Sequence, residues 1–372
     1  MNSWSDVAKA SNEAILGWAR EQSWAAAMAS CNQDAQWHAE GDVWTHTCMV
    51  CAQVERLDEW PALNRTEQLI LLFVALFHDS GKPATTVLDP DTGRTRSPHH
   101  ASVGVAIARE VLRELGCDFD TRERICALVA FHGRPPYLLD KPNPEREVIR
   151  MSWLAGNKLL YLFTLADTRG RNAVETTRSE EPLHLWKLVA EEQNCFDAPY
   201  RFANDHARFL FFREQLSHPT YAPYEKFRCV ATVLSGLPGA GKDAWLKANR
   251  PELPVVSLDE IRAEIDVDPA DNQGEVIQAA REKCRVFLRA GTNYALNATN
   301  VTATVRKRWV DLAADYDARV EVVYLELDIE TILAQNKQRA ARVPESVIRS
   351  LLVKLDPPTV TECHGLTIVR RP

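Results

Sequence analysis

Ten residues constrain the fold of this chain more than any others. They are Leu234-Ser235-Gly236-Leu237-Pro238-Gly239-Ala240-Gly241-Lys242-Asp243. The run lies between a β-rich stretch, 229–234, and a helical one, 242–248. Glycines let a backbone turn so that its N–H groups face a phosphate, a lysine then meets the outer phosphates, and the helix N-terminus adds partial positive charge. The candidate nucleotide-binding residues are therefore Gly236, Gly239, Ala240, Gly241, Lys242 and Asp243. Asp243 departs from the usual pattern, in which a Ser or Thr hydroxyl holds Mg²⁺, although a carboxylate is also a hard oxygen ligand. Around this loop short β-rich runs (229–234, 255–258, 294–296, 320–327 and a closing strand about Leu366) alternate with helical ones (242–248, 274–289, 305–316, 330–341). That alternation predicts a parallel sheet with helices on both faces.

The residues before this region read differently. Helices are expected at 66–73, where Thr66 starts a capped apolar run, at 102–115 with Gly116 as its stop, at 121–131 and at 151–166. Segments 83–98 and 140–144 read as turn-rich loops. The pattern changes near Ser217, and His218-Pro219-Thr220-Tyr221-Ala222-Pro223 reads as a linker. The expectation is thus an all-α domain over 1–217, a linker over 218–227 and an α/β domain over 228–372. A chain of 372 residues has room for both.

Composition narrows the class. With 45% hydrophobic and 26% charged residues, disorder is excluded. The longest clean apolar run, 69–77, is too short to cross a bilayer, and the first residues lack a signal-peptide pattern. Nine scattered cysteines, an odd number, point to a reducing cytoplasmic setting rather than a disulfide framework. A net charge of -7 excludes a general nucleic-acid-coating protein but not a site that grips a few phosphates.

Three further features of the second half bear on chemistry. Asp259, in Ser257-Leu258-Asp259-Glu260-Ile261-Arg262, falls at a strand's C-terminal end, where a base for a substrate hydroxyl belongs. Arg262, three residues on, is placed to clamp a substrate phosphate; alone, the pair reads as a helix cap with a surface charge. Asn297-Ala298-Thr299-Asn300 ends a strand and is followed by Arg306-Lys307-Arg308. Arg339 and Arg342 are three apart and expected to share a face, as a phosphoryl-neutralising lid requires; a solvated basic helix is the plainer reading. Together these motifs, over about 228–372, resemble the phage-type polynucleotide 5'-kinases of the P-loop phosphotransferases. The resemblance implies that Lys242 contacts phosphates, that Asp259 is the general base, that Arg262 holds the acceptor's phosphate, and that Arg339 or Arg342 stabilises the transition state. It implies ATP or another NTP with Mg²⁺, and gives no acidic role to Asn297.

In the first half, His46, His78, Asp79, His100, His132 and Asp167 fall on or beside expected helices. Any one histidine is most simply a core residue, but His78-Asp79 closes an apolar helix, where an unpartnered charge is costly. The segments His38-Ala39-Glu40-Gly41-Asp42-Val43-Trp44-Thr45-His46-Thr47, His78-Asp79-Ser80-Gly81-Lys82-Pro83 and Ala166-Asp167-Thr168-Arg169-Gly170-Arg171 resemble the HD phosphohydrolase superfamily, in its motif order, over about 30–175. The first is similar to the HD domain attached to bacterial tRNA nucleotidyltransferases, which acts on 2',3'-cyclic and 2'-phosphates. The resemblance implies His46, His78, Asp79 and Asp167 as ligands of one metal. It implies His100 and His132 at a second, with Asp79 bridging, and Lys82, Arg169 and His99 facing the substrate phosphate, with His38 an outer ligand or a helix-start residue. A bound metal lowers the pKa of water to about 7, and Mn, Co, Ni, Cu, Zn or Fe all suit such donors. Cys48 and Cys51 read as buried thiols, and Trp37, Trp44, Trp153 and Trp186 as core residues.

The two halves in this order resemble the bifunctional bacterial HD-domain polynucleotide kinases, which are RNA end-healing enzymes. The implied substrates are RNA, or DNA, ends, the implied partner is a separate RNA ligase, and no membrane is involved. The same chemistries acting on free nucleotides, or a regulator whose P-loop domain senses ATP, are the alternatives.

Overall fold

The computed structural model describes residues 1–34, 38–172, 180–268, 271–339 and 341–370. It divides into two compact units, Met1–Arg201 and Phe202–Pro372. The boundary expected after Ser217 thus lies earlier. Helix Asp205–Phe212 packs with the second unit, where Phe209 joins the core and Arg208 donates to the carbonyl of His364 at 2.8 Å. The segment expected as a linker, 218–227, lies inside that unit as well.

The first unit is helical apart from a small antiparallel hairpin, β1 (Val87–Leu88) with β2 (Thr95–Arg96), which sits in the segment expected to be a loop. Helix Arg65–Phe77 starts at a capping box formed by Asn64 and Glu67, so the chain caps two residues earlier than Thr66. Its nine residues from Leu69 to Phe77 are all buried. An element apolar on every side belongs in the middle of a bundle, and helices Val43–Val54, Phe119–Phe131 and Asn157–Arg169 pack around it. The helix expected over 151–166 is two, Pro144–Leu154 and Asn157–Arg169. Gly156 separates them at φ 77°, a left-handed conformation that side chains resist, and a Cβ there would meet the Arg124 guanidinium. Trp186 is fully buried and Trp153 donates to the carbonyl of Tyr200 at 2.9 Å, whereas Trp37 lies outside the described residues.

Among its described residues the second unit holds five strands: β3 (Cys229–Ser235), β4 (Val255–Ser257), β5 (Tyr294–Asn297), β6 (Ala318–Glu326) and β7 (Gly365–Arg370). Their order is β4-β5-β3-β6-β7 and every pairing is parallel. Strand residues alternate between two core clusters. Ala231, Val233, Tyr294, Leu296, Val320 and Val322 join one, and Leu234, Ala295, Val323 and Leu325 the other. The period of two means that the sheet is buried on both faces. Helices Leu258–Glu264, Gly274–Ala290 and Ala303–Ala314 contribute to the first cluster, and Lys242–Asn249 to the second.

Candidate functional site

In the first unit the six expected ligands stand at helix ends. His46 lies in the first turn of Val43–Val54, His78 caps Arg65–Phe77 with Asp79 next to it, and His100 opens His100–Glu114. His132 caps Phe119–Phe131, and Asp167 lies in the last turn of Asn157–Arg169. They converge as two triads, His46–His78–Asp167 and Asp79–His100–His132, whose donor atoms within each triad lie within 4.8 Å of one another. Asp79 touches both. Its Oδ2 is 3.2 Å from His78 Nε2 and its Oδ1 is 3.5 Å from His100 Nε2. Gly81 lets this corner form, because a Cβ there would fall 2.1 Å from the His100 carbonyl oxygen.

The proton arrangement says what the centre holds. Nδ1 of His46, His78, His100 and His132 lies 3.2, 2.9, 2.8 and 2.8 Å from the carbonyls of Gly170, Ala75, Ser97 and Val129. A carbonyl only accepts, so each neutral imidazole carries its proton on Nδ1. The Nε2 atoms then face each other, 3.3 Å apart for His46 and His78 and 3.4 Å apart for His100 and His132, and His46 Nε2 also lies 3.1 Å from Asp167 Oδ1. For His100 and His132 the opposed lone pairs repel unless a cation lies between them, while against the effect of burial Asp167 and Glu40 push His46 up. Asp79 Oδ2 adds a buried carboxylate oxygen, 2.7 Å from Lys82 Nζ. This donor set fits a divalent metal. Burial opposes the ionisation of Asp79 and Asp167, yet His78 and Lys82 beside the first and Arg171 and His46 beside the second hold both carboxyls well below their usual range. Burial and the neighbouring His78 push His132 down to about 4, which keeps it a neutral ligand.

A cavity of about 400 Å³ opens beside the triads, lined among others by His38, Lys82, His100, Tyr137 and Arg171. Lys82, expected to face a substrate phosphate, lines this cavity. Arg169 does not: its guanidinium turns to Glu180 at 2.8 Å, away from the cavity lining. Arg171 takes the expected place, with its Nη2 2.5 Å from Asp167 Oδ2. A helical residue two positions on points elsewhere, and Arg171 lies past the end of Asn157–Arg169, where the chain turns back toward the centre. His99 is exposed and also absent from the lining. Glu40 was missed altogether. It is buried, with Oε1 2.7 Å from His38 Nδ1 and 3.1 Å from His46 Nδ1, and its Oε2 accepts the Asn172 N–H at 3.1 Å. A carboxylate two residues after a histidine in an otherwise polar segment carries no periodic signal. His38 is buried by this contact and is more than a helix start. Cys51 is buried and Cys48 half-buried on the same helix, and burial pushes both thiols up.

In the second unit the glycine-rich loop joins β3 to helix Lys242–Asn249. Gly239 and Gly241 have φ of 88° and 87°, and a Cβ on Gly239 would fall 2.8 Å from the Ile332 carbonyl oxygen. Lys242 Nζ donates to the carbonyls of Gly236 and Leu237 at 2.9 and 3.0 Å. Burial pushes its ammonium down to about 8, opposed by Asp243 and Asp259. Asp259 follows β4 and is exposed; Arg262 Nη1 lies 2.5 Å and Arg339 Nη2 3.8 Å from its two oxygens. Arg339 and Arg342 do not share a helical face, because helix Ile329–Lys337 ends before both. Arg339 alone meets Asp259, and Arg342 is exposed. Arg306 is fully buried, gripping Glu362 at 2.8 and 2.9 Å, and Lys307 pairs with Asp311, so neither of these downstream basic residues is turned to the loop. Asn297 ends β5, and its side-chain amide donates to the Asp243 carboxylate.

Residues 43–153 match the HD domain family and residues 232–358 the AAA domain family. A CC-adding tRNA nucleotidyltransferase from Thermus thermophilus is 37% identical over 117 residues, which is 32% of this chain and 24% of that protein. An L-seryl-tRNA(Sec) kinase from Methanococcus maripaludis is 24% identical over 138 residues, 34% of this chain and 52% of that protein. A solved gluconokinase from Sinorhizobium meliloti 1021 is 14% identical, covering 40% of this chain and 86% of that one at a TM-score of 0.30. The chain thus spans about a quarter and about half of the two curated relatives. The HD match falls on the helical unit and the AAA match on the parallel-sheet unit that holds the phosphate loop. These two domain types imply a divalent metal for the first and a nucleotide with Mg²⁺ for the second. Among the described residues no helix is long and apolar enough to cross a membrane.

Proposed function

We propose that the chain is a bifunctional RNA end-healing enzyme, a phosphohydrolase and a 5'-hydroxyl kinase in one polypeptide. The observation that carries this reading is the pairing of two phosphate-handling centres: the double triad with Lys82 and Arg171 at its cavity, and the phosphate loop with Asp259 and Arg262 beside it. RNA broken by transesterification carries a 2',3'-cyclic phosphate on one side of the break and a 5'-hydroxyl on the other. One chain with both chemistries repairs both ends for a separate ligase.

In the HD domain, the metal when bound supplies an activated water and charge stabilisation. His46, His78 and Asp167, together with Asp79, His100 and His132, are the residues that would hold it. Glu40 and the backbone carbonyls fix the imidazoles with Nε2 inward. Lys82 and Arg171 bind the phosphate oxygens of the cyclic phosphodiester and then of the 2'-phosphate. In the P-loop domain, Lys242 and the loop N–H groups bind the donor's outer phosphates. Asp259 takes the proton from the 5'-hydroxyl as its oxygen attacks the γ-phosphorus and the β-phosphate leaves. Arg262 orients the acceptor's phosphate, and Arg339 stabilises the charge of the transferring group.

RNA is favoured over free nucleotides because two relatives carry tRNA in their names, one a nucleotidyltransferase and one a kinase. The net charge of -7 favours the smaller substrates. One oligonucleotide decides. An RNA with a 5'-hydroxyl and a 2',3'-cyclic phosphate is incubated with ATP, Mg²⁺ and Mn²⁺, and both ends are resolved by mass. Gain of a 5'-phosphate with conversion of the cyclic end to a diol supports end healing. Intact ends from protein that binds ATP and carries metal, with turnover of free nucleotides, overturn it.

A further inference from the structure

One residue is used by none of the steps above. Asp243 is the first acidic group of the helix that begins at the phosphate loop, directly after Lys242. In the usual loop a neutral hydroxyl occupies this position. Here a carboxylate does, and it is held: the Asn297 amide at the end of β5 donates to Asp243 Oδ1. The reverse amide orientation would set two oxygens against each other, so the donor assignment follows from the contact. Asp243 is exposed toward solvent, and Oδ1 is the oxygen that Asn297 engages.

The charges around the loop can be counted. Lys242 is positive and Asp243, beside it, is negative, so the pair offers a triphosphate no net charge. A hydroxyl in place of Asp243 would leave the full positive charge of Lys242. Arg262 and Arg339 are turned to Asp259, at 2.5 and 3.8 Å, rather than to Asp243, so neither neutralises the Asp243 carboxylate. An ATP without metal carries about four negative charges and would bring its outer phosphates next to a fixed carboxylate. Like charges at contact distance in a partly desolvated loop repel strongly. A divalent cation removes that repulsion and turns the carboxylate into a hard oxygen ligand. The residues therefore fit Mg²⁺, and they fit it in one particular way.

We propose that Asp243, positioned by Asn297, makes nucleotide binding conditional on the divalent cation, so that the loop takes metal–NTP and rejects free NTP. This rests on the reading of the loop as a nucleotide site and says which form of the nucleotide it recognises. In linkage terms, metal and triphosphate bind with positive coupling, and Asp243 is the source of much of that coupling. The consequence is that the domain does not fill with metal-free nucleotide that it cannot use.

The test is a binding measurement and needs no turnover. The dissociation constant of ATP is measured by calorimetry on the full chain, in Mg²⁺ and in EDTA, for the wild type, Asp243→Ser and Asp243→Asn. Asp243 is exposed, so neither change threatens folding. The expected result is that the ratio of the two constants falls on the order of tenfold in both variants, mainly because metal-free ATP binds better. AMP, which lacks the outer phosphates, should show no such change. An equal ratio in wild type and variants overturns the proposal while leaving the nucleotide site intact. Failure of the wild type to bind ATP even with Mg²⁺ overturns the nucleotide reading itself. A ratio that falls in Asp243→Ser but not in Asp243→Asn would mean that the hydroxyl, not the lost charge, is responsible, and would also overturn it.

Discussion

The two sites of this chain are built by opposite means. The metal centre collects side chains that are 121 residues apart in sequence, such as His46 and Asp167, onto the ends of five buried helices. The phosphate loop is one contiguous backbone turn, and its charged companions, Asp259 and Asp243, are exposed. The first therefore comes preformed by the core around it, with every imidazole fixed by a backbone carbonyl. The second is preformed only in its backbone; its side chains are held by one another, as Arg262 and Arg339 are by Asp259. A site made of buried long-range contacts is rigid but exposed to any core change. A site made from a local turn tolerates change elsewhere, and its side chains must be re-aimed by the ligand.

The largest break in that comparison should come from Asp79→Ala. It removes the carboxylate shared by both triads, and phosphohydrolase activity should fall at least about 10³-fold with kinase activity unchanged. Parallel loss of both activities in folded protein would show that the sites are not independent. Next is Asp259→Ala, for which 5'-phosphorylation should fall about 10²-fold or more while ATP affinity and hydrolysis of the cyclic end are kept. A loss of ATP binding instead would place Asp259 on the donor side.

Metal removal separates the sites by stability. Chelation should destabilise the HD domain by on the order of 2–4 kcal/mol, read as a lower unfolding temperature by differential scanning calorimetry. An unchanged transition would mean that no metal was held there.

The second unit has its own acid sensitivity. Buried His364 accepts the Val320 N–H at Nδ1 and donates from Nε2 to His206, so it is neutral. Burial, His206 and Arg319 push it down to about 3. The unfolded chain protonates this histidine below about 6.5 and the folded one does not, so stability is full above that pH and falls as pH drops toward 3. The expected loss by pH 4.5 is about 3 kcal/mol, and its absence in urea titrations would mean that His364 is charged in the fold. Smallest is Asn64→Ala, which opens the capping box of Arg65–Phe77 and should cost about 1 kcal/mol with no change in either activity.

Local signals were legible in the chain because their causes are local. Strand–loop–helix around Gly239 and Gly241, and the apolar helix 69–77, could be read from order alone, as could the histidines of the metal centre once a motif order was noticed. Arg171 in place of Arg169 could not, since where a side chain points beyond a helix end depends on how the chain leaves it. The break at Gly156 and the helix 205–212 packing into the second unit were hidden for similar reasons. The short loop at Gly156 carries one glycine that a continuous helix tolerates, and a helix's partner is set by the faces it meets.

Sequence by itself therefore determined the two fold classes and the phosphate loop, because periodicity and contiguous turns are short-range properties of the backbone, while the residues that meet in the two triads were implied by a resemblance of motifs. Only the tertiary structure decided that Asp79 faces both triads, that Glu40 orients His46, that Arg306 is a buried brace and that Asn297 holds Asp243. Most of those are contacts across many residues of chain, and which donor meets which acceptor is settled by packing the core, not by the spacing of the letters.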